Sequence, residues 1–171
     1  MLVAVLYSIL WILAAFKLAD RNWKPYYPTI LFASLSNLLY ELICYNYQLW
    51  QMEPNGVKYA MIPILLLCLI GMPLSTWVYL SHYPADRSLL QRFKYILLFT
   101  ALFVVLEYIS VKLGAITYHN RWNLLWSTLF DIIMFIMLRV HFRNPLIGIA
   151  CSVVYTGLLI VLFNVTLEKM K

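Results

Sequence analysis

The sequence predicts an all-α, polytopic membrane protein, a bundle of about six transmembrane helices joined by short loops. Of the 171 residues, 64% are hydrophobic and only 12% are charged, and the mean hydropathy is +0.80. A soluble domain carries about twice that share of charged residues. The apolar runs are also long and continuous, as a helix of about 20 residues in lipid requires. A membrane β-barrel would show short segments of alternating hydrophobicity instead.

Six apolar runs predict the spans, and the segments between them carry charge, proline, glycine and aromatic residues. The predicted spans are roughly 1–19, 27–45, 59–80, 95–113, 124–140 and 146–167. The first run has neither a positively charged start nor an Ala-x-Ala cleavage site, which favours a mature helix over a signal peptide. Aromatic residues near the span ends, such as Trp23, Tyr27 and Trp122, are predicted interfacial anchors. The short connections predict antiparallel neighbours in one domain, residues 1–171.

The third span contains Pro63, Gly71 and Pro73. A proline inside a helix removes one backbone hydrogen bond, so we expect a bend between Gly71 and Pro73. Such a bend is either a static feature or the hinge or cavity wall of a transporter.

The sixth span carries Gly148, Ser152 and Thr156 at four-residue intervals. Small residues at this spacing let two helices approach closely. The stripe predicts either a contact inside the bundle or a contact with a second copy or another membrane partner.

Lysine and arginine residues are divided unevenly between alternate connections. One side has eight, namely Lys17, Arg21, Lys24, Arg87, Arg92, Lys94, Arg139 and Arg143. The other side has five, namely Lys58, Lys112, Arg121, Lys169 and Lys171. The positive-inside rule then predicts a plasma-membrane protein with the first side in the cytoplasm and both termini outside. The net charge of +6 fits this topology and contact with anionic lipid, rather than nucleic-acid binding.

Three of the seven acids, Glu41, Glu107 and Asp131, fall inside predicted spans. An ionised carboxylate at the centre of a bilayer costs at least about 2.5 to 3.5 kcal/mol, so such groups face the bundle interior, pair or take up a proton. At 1.5 Å per residue, Glu107 and Asp131 lie about 9 and 10 Å from the span ends that meet at one face, and Glu41 about 7 Å. The three acids are therefore predicted to share one layer.

Polar residues are expected around these acids. Asn123 precedes Asp131 by eight residues on the same helix face, and the connection after the fourth span lies above the acids. The predicted ligand- or ion-binding residues are Glu107, Asp131, Glu41, Tyr118, His119, Arg121 and Asn123.

Three functions fit such a pocket. It could serve proton- or cation-coupled transport or small-molecule binding, or its acids could only stabilise the bundle of a structural or interaction protein. It could also belong to an intramembrane enzyme acting on a lipid or isoprenoid, but no catalytic spacing supports this, so no catalytic residue is predicted. The scattered cysteines Cys44, Cys68 and Cys151 and the absence of paired histidines argue against a metal site, and no cofactor is predicted.

Several motifs resemble one known family. These are "HYP" after the third span, Glu107, "GAITYHNRWNLLWSTLFD" with its Tyr-x(3)-Trp-x(3)-Trp spacing, and "LRVHFRNP" after the fifth span. Over roughly residues 60–145 the chain is similar to an uncharacterised family of small multi-pass membrane proteins from Bacillus and Clostridium relatives, described from a Clostridium botulinum sequence. The resemblance implies a signature of Glu107, Tyr118, Trp122 and Trp126 and an integral membrane protein of a Gram-positive bacterium. It implies no activity.

Overall fold

The six apolar runs fold as six helices, which confirms the predicted all-α bundle. The computed structural model describes residues 2–166, 168 and 170. The helices are α1 (Val3–Leu18), α2 (Tyr27–Ile43), α3 (Met61–Ser81), α4 (Leu89–Lys112), α5 (Leu124–Arg143) and α6 (Pro145–Leu162). Two predicted span ends, Met1 and Leu167, and two of the counted lysines, Lys169 and Lys171, lie outside the described residues.

Four helices, α3 to α6, are long and apolar enough to cross a membrane. Helix α1 is apolar but has 16 residues, and α2 has 17. At 1.5 Å per residue these two extend for about 24 and 26 Å, slightly less than the hydrocarbon core of a bilayer at about 30 Å.

Local capping sets several helix ends. Helix α4 begins at Leu89, earlier than predicted, because Ser88 and Gln91 form a reciprocal capping box. Asn144 ends α5 and caps α6, and its side-chain oxygen accepts a hydrogen bond from the Ile147 backbone N–H. Only this one residue separates the two helices, so the predicted five-residue connection is shorter in the structure.

Helix α3 changes geometry where the sequence predicts a distortion. Residues Leu67–Gly71 form a π-helical segment, in which the Met72 N–H bonds to the Leu67 carbonyl. Pro73 has no N–H to give to a preceding carbonyl, so the regular hydrogen-bond ladder is interrupted here. Because Leu67 and Gly71 line a cavity inside the bundle, the distortion shapes a cavity wall.

Two three-residue strands, which the sequence analysis did not predict, cover one end of the bundle. Strand β1 (Trp50–Met52) follows α2, and β2 (Ile116–Tyr118) follows α4. They pair antiparallel, with Gln51 opposite Thr117. The Tyr40 hydroxyl holds the start of β1, since it accepts hydrogen bonds from the Leu49 and Trp50 N–H groups and donates to the Trp50 carbonyl at 2.6 Å. We call this strand pair the cap.

At the opposite end, the core is aromatic and centres on Tyr79. The Tyr79 side chain is 0% exposed, and its hydroxyl donates to the Phe135 carbonyl at 3.0 Å. The Tyr95 hydroxyl in turn donates to the Tyr79 carbonyl at 2.9 Å. These bonds join α3, α4 and α5 below the cavity.

The small-residue stripe of α6 is divided between two surroundings. Gly148 is buried against α5, and a Cβ built there would lie 2.5 Å from the Cα of His141. Ser152 is half-buried and Thr156 is exposed. The Gly148 end is therefore an internal contact, while a partner at the outer end stays a prediction.

Candidate functional site

A cavity of about 170 Å³ lies inside the bundle, against the cap. Residues of α1 to α5 and of both strands form its walls. Its lining is mainly apolar and rich in aromatic rings, which come from Tyr7, Trp11, Trp50, Phe103, Trp122 and Phe130. Carboxyl groups of Glu53, Glu107 and Asp131 also line it, so the cavity combines aromatic faces with acids.

Glu107 of α4 is held by one donor from strand β2 and one from α5. Its Oε1 accepts hydrogen bonds from the Tyr118 hydroxyl at 2.8 Å and from Ser127 Oγ at 2.6 Å. Ser127 Oγ accepts in turn from the Trp122 indole N–H at 2.8 Å. Trp122 is only 6% exposed, so the predicted interfacial anchor is instead a buried member of this network.

Asp131 lies one helical turn beyond Ser127 and has a different environment. The residue is 7% exposed, and its Oδ2 is buried without a hydrogen-bond partner among the described residues. It lines the cavity and lies close enough to Glu107 for their charges to interact. A carboxyl group in such surroundings either keeps its proton or, when it is ionised, pairs with a cation. Of Glu107 and Asp131, it is thus Asp131 that has an oxygen still able to accept a hydrogen bond from a ligand.

The cap places a second polar network beside the cavity. Thr117 Oγ1 donates to Glu53 Oε1 at 2.9 Å and lies 3.0 Å from His119 Nε2. Burial and the neighbouring Glu107 carboxylate raise the pKa of the Tyr118 phenol above its usual range. Tyr118 therefore keeps its proton and remains a donor to Glu107 at every physiological pH.

The structure brings together only part of the predicted set. Glu107 and Asp131 line the cavity and Tyr118 contacts Glu107, but the remaining four predicted residues are not in the lining. Glu41 is half-buried near Cys44 and Cys68. The other three are exposed residues of the connection between β2 and α5, namely His119, Arg121 and Asn123.

Local structure explains why each of these three exposed residues lies outside the cavity. Asn123 caps α5, because its Oδ1 accepts from the Leu125 and Trp126 N–H groups. Arg121 has a left-handed backbone with φ of 68°, as part of the tight turn into α5. His119 contacts Thr117, and its backbone N–H bonds to the Leu49 carbonyl beside β1.

Sequence reasoning missed the contribution of α1 to the site. Tyr7, Ser8 and Trp11 line the cavity, and the Tyr7 hydroxyl donates to the Leu106 carbonyl of α4 at 3.0 Å. Tyr7 and Ser8 interrupt an otherwise apolar run, and this was the available signal. Glu53 was also missed, since nothing in its local sequence shows that it follows a paired strand and lines the cavity.

No three His, Cys, Asp or Glu side chains cluster closely enough in the described part of the chain to hold a metal ion. No family model matches the chain, and no curated protein and no solved structure matches it. The resemblance to the Bacillus and Clostridium family therefore stays a prediction.

Proposed function

We propose that this is an integral membrane protein that binds a small protonatable amine at Asp131 and exchanges it for a proton. The observation that carries the proposal is the buried Asp131 carboxyl, which lacks a hydrogen-bond partner within the described chain and faces an aromatic cavity. A cationic ligand would supply both the missing hydrogen-bond donor and the missing positive charge.

The lining favours an organic cation over a hydrated inorganic one. Trp11, Trp50 and Trp122 line the cavity, and an ammonium group is attracted to the face of an aromatic ring. The volume of about 170 Å³ is close to that of an engineered protein cavity of about 150 Å³ that holds benzene. A ligand with one ring or a short aliphatic chain therefore fits.

The exchange is balanced in charge. When the ammonium ion enters, the O–H bond of the Asp131 carboxyl breaks and its proton leaves to water. The carboxylate then accepts an N–H hydrogen bond from the ligand, and one positive charge has replaced another. Glu107 is already bonded to Tyr118 and Ser127, so we assign it the positioning of α4 against α5.

The structural alternative rests on that Glu107 network. Its donors join α4, β2 and α5, as expected of an acid that only stabilises the bundle. This alternative explains the contacts of Glu107, but it does not explain why Asp131 Oδ2 is buried without a hydrogen-bond partner in the described chain.

We further propose a location in the plasma membrane, with the basic end of the bundle in the cytoplasm. The loops before α2 and before α4 and the junction of α5 and α6 lie at that end, together with eight lysine and arginine residues. The positive-inside rule supports this orientation, which leaves the cap and both termini outside.

The amine site can be tested by calorimetry on the purified protein. Benzylamine is the probe, benzyl alcohol is its neutral counterpart, and repeating the titration in buffers of different ionisation enthalpy counts the protons released. We expect saturable benzylamine binding with release of a proton, and Asp131→Asn should weaken it by at least about tenfold, since a hydrogen bond to a charged group contributes about 1.5 to 3 kcal/mol.

The matched control is Glu41→Gln, which removes an intramembrane acid outside the cavity and should bind benzylamine as the parent protein does. Equal binding by a folded Asp131→Asn variant, or equal binding of benzyl alcohol, would contradict the proposal. Proton efflux from proteoliposomes on addition of benzylamine would then separate transport from binding alone.

A further inference from the structure

A second cavity, of about 380 Å³, lies at the basic end of the bundle between α4 and α5. Three arginines line it, Arg92 from α4 and Arg139 and Arg143 from α5. One acid, the exposed Asp86, lines it as well. The polar side of this arginine pocket therefore has an excess of positive charge.

Two of the arginines are held in place by neighbours that do not neutralise them. Arg92 donates hydrogen bonds to the backbone carbonyls of Arg87, at 2.9 Å, and Ala85. The guanidinium carbon of Arg139 lies 4.5 Å from the centre of the Tyr83 ring and 5.4 Å from that of Phe142. Carbonyl and ring contacts fix the orientation of a guanidinium but leave its full charge in place.

The donors that remain have no acceptor in the described chain. Arg139 makes ring contacts but no hydrogen bond to a described residue, and Arg143 at the end of α5 likewise has none. Arg92 and Arg143 both repel Arg139 electrostatically. Like charges gathered at a half-buried position cost free energy, and a bound anion would remove that cost.

Part of the lining of the arginine pocket is apolar. Ile96 of α4 and Ile136 and Val140 of α5 form it, and most of the exposed large apolar side chains of both helices are leucines, with Phe93 and Tyr108 among those of α4. In a membrane these faces contact acyl chains. A ligand in the pocket can thus place a charged group on the arginines while an apolar chain runs along the groove between the helices.

We propose that the arginine pocket binds the phosphate group of an anionic phospholipid, with the first part of an acyl chain against Ile96 and Ile136. Guanidinium groups match phosphate oxygens in pairs of parallel hydrogen bonds, which lysine cannot form. The pocket lies at the bundle end with most of the basic residues, where anionic lipids contribute attraction in the cytoplasmic leaflet. The site is separate from the Asp131 cavity and does not depend on its function.

The test is native mass spectrometry of the whole protein released from nanodiscs of mixed phosphatidylglycerol and phosphatidylcholine. We expect selective retention of phosphatidylglycerol. Arg143→Gln should reduce that retention by about tenfold, as loss of a charge-assisted contact predicts. Arg143 is exposed and makes no hydrogen bond within the described chain, so this variant should fold; Arg139→Gln is the second variant.

The matched control is Arg21→Gln, which removes an exposed arginine at the same end of the bundle but outside the pocket. It should retain phosphatidylglycerol as the parent protein does. Unchanged retention in both pocket variants would overturn the proposal. Equal thermal stabilisation by inorganic phosphate and by phosphatidylglycerol would also overturn it, because the site would then recognise a free anion.

Discussion

The Ser127 hydroxyl forms hydrogen bonds with two partners, the half-buried Glu107 and the buried Trp122. Its proton goes to Glu107 Oε1 and its oxygen accepts the Trp122 indole N–H. Counting residues from the span ends predicted that Glu107 and Asp131 lie at the same depth, because the rise per residue of a helix converts a residue count into a distance. The same count could not show that the Trp122 side chain is buried. Its position depends on the turn from β2 to α5, in which Asn120 and Arg121 have left-handed backbone conformations.

Replacing Ser127 with alanine should destabilise the protein by about 1 to 3 kcal/mol, because the buried Trp122 N–H is left without an acceptor. The measurement is thermal unfolding in detergent, followed by tryptophan fluorescence. Thr128→Ala is the matched control, since the Thr128 hydroxyl only donates to the Leu124 carbonyl of its own helix. Equal losses in the two variants would show that the network adds no stability.

At the scale of elements, the sequence predicted the helices well and the cap not at all. A continuous apolar run is a local feature, so each run identifies its own helix. The Ser88–Gln91 capping box was a readable signal for the early start of α4. The strands have three residues each and lie in different connections, so their pairing depends on helices that must pack first. No short-range pattern records such a pairing.

Two glycines of α6 should respond in opposite ways to alanine. Gly148→Ala places a methyl group 2.5 Å from the Cα of His141, so α5 and α6 must separate, and overpacking of this kind costs about 1 to 3 kcal/mol. At Gly157 a Cβ meets nothing within 4 Å, so alanine should be neutral or stabilise the helix by up to about 1 kcal/mol. Thermal unfolding of both variants checks this, and a stable Gly148→Ala variant would argue against tight α5–α6 packing.

The whole molecule has two chemically different ends. The cap and the acidic cavity lie towards one end, and the arginine pocket and most of the basic residues lie at the other. Four helices between these ends are long and apolar enough to cross a membrane. This division could be predicted from the alternation of basic loops, whereas the cavities could not, because they arise where side chains of several helices fail to fill the space.

Site-directed labelling tests the orientation that we propose. In a variant without Cys44, Cys68 and Cys151, a cysteine is introduced at Asn22 or at Lys58, which are exposed and lie beyond opposite ends of α2. A membrane-impermeant maleimide should label Lys58→Cys in intact cells and Asn22→Cys only after permeabilisation. The reverse pattern would invert the orientation, and labelling of both in intact cells would contradict a membrane-spanning arrangement.

The network around Glu107 has a consequence for synthesis of the chain. Its donors, Tyr118 and Ser127, both follow Glu107 in the sequence. In the membrane arrangement that we propose, the Glu107 carboxyl of a newly made α4 therefore has neither native partner, and β1 still lacks β2. Strand β2 and helix α5, which are made later, supply the two donors. The Glu107 carboxyl therefore has both of its native hydrogen bonds only after α5 has been made. A chain that ends before Tyr118 keeps Glu107 but lacks both of its hydrogen-bond donors, so α4 would then carry an unsatisfied carboxyl group.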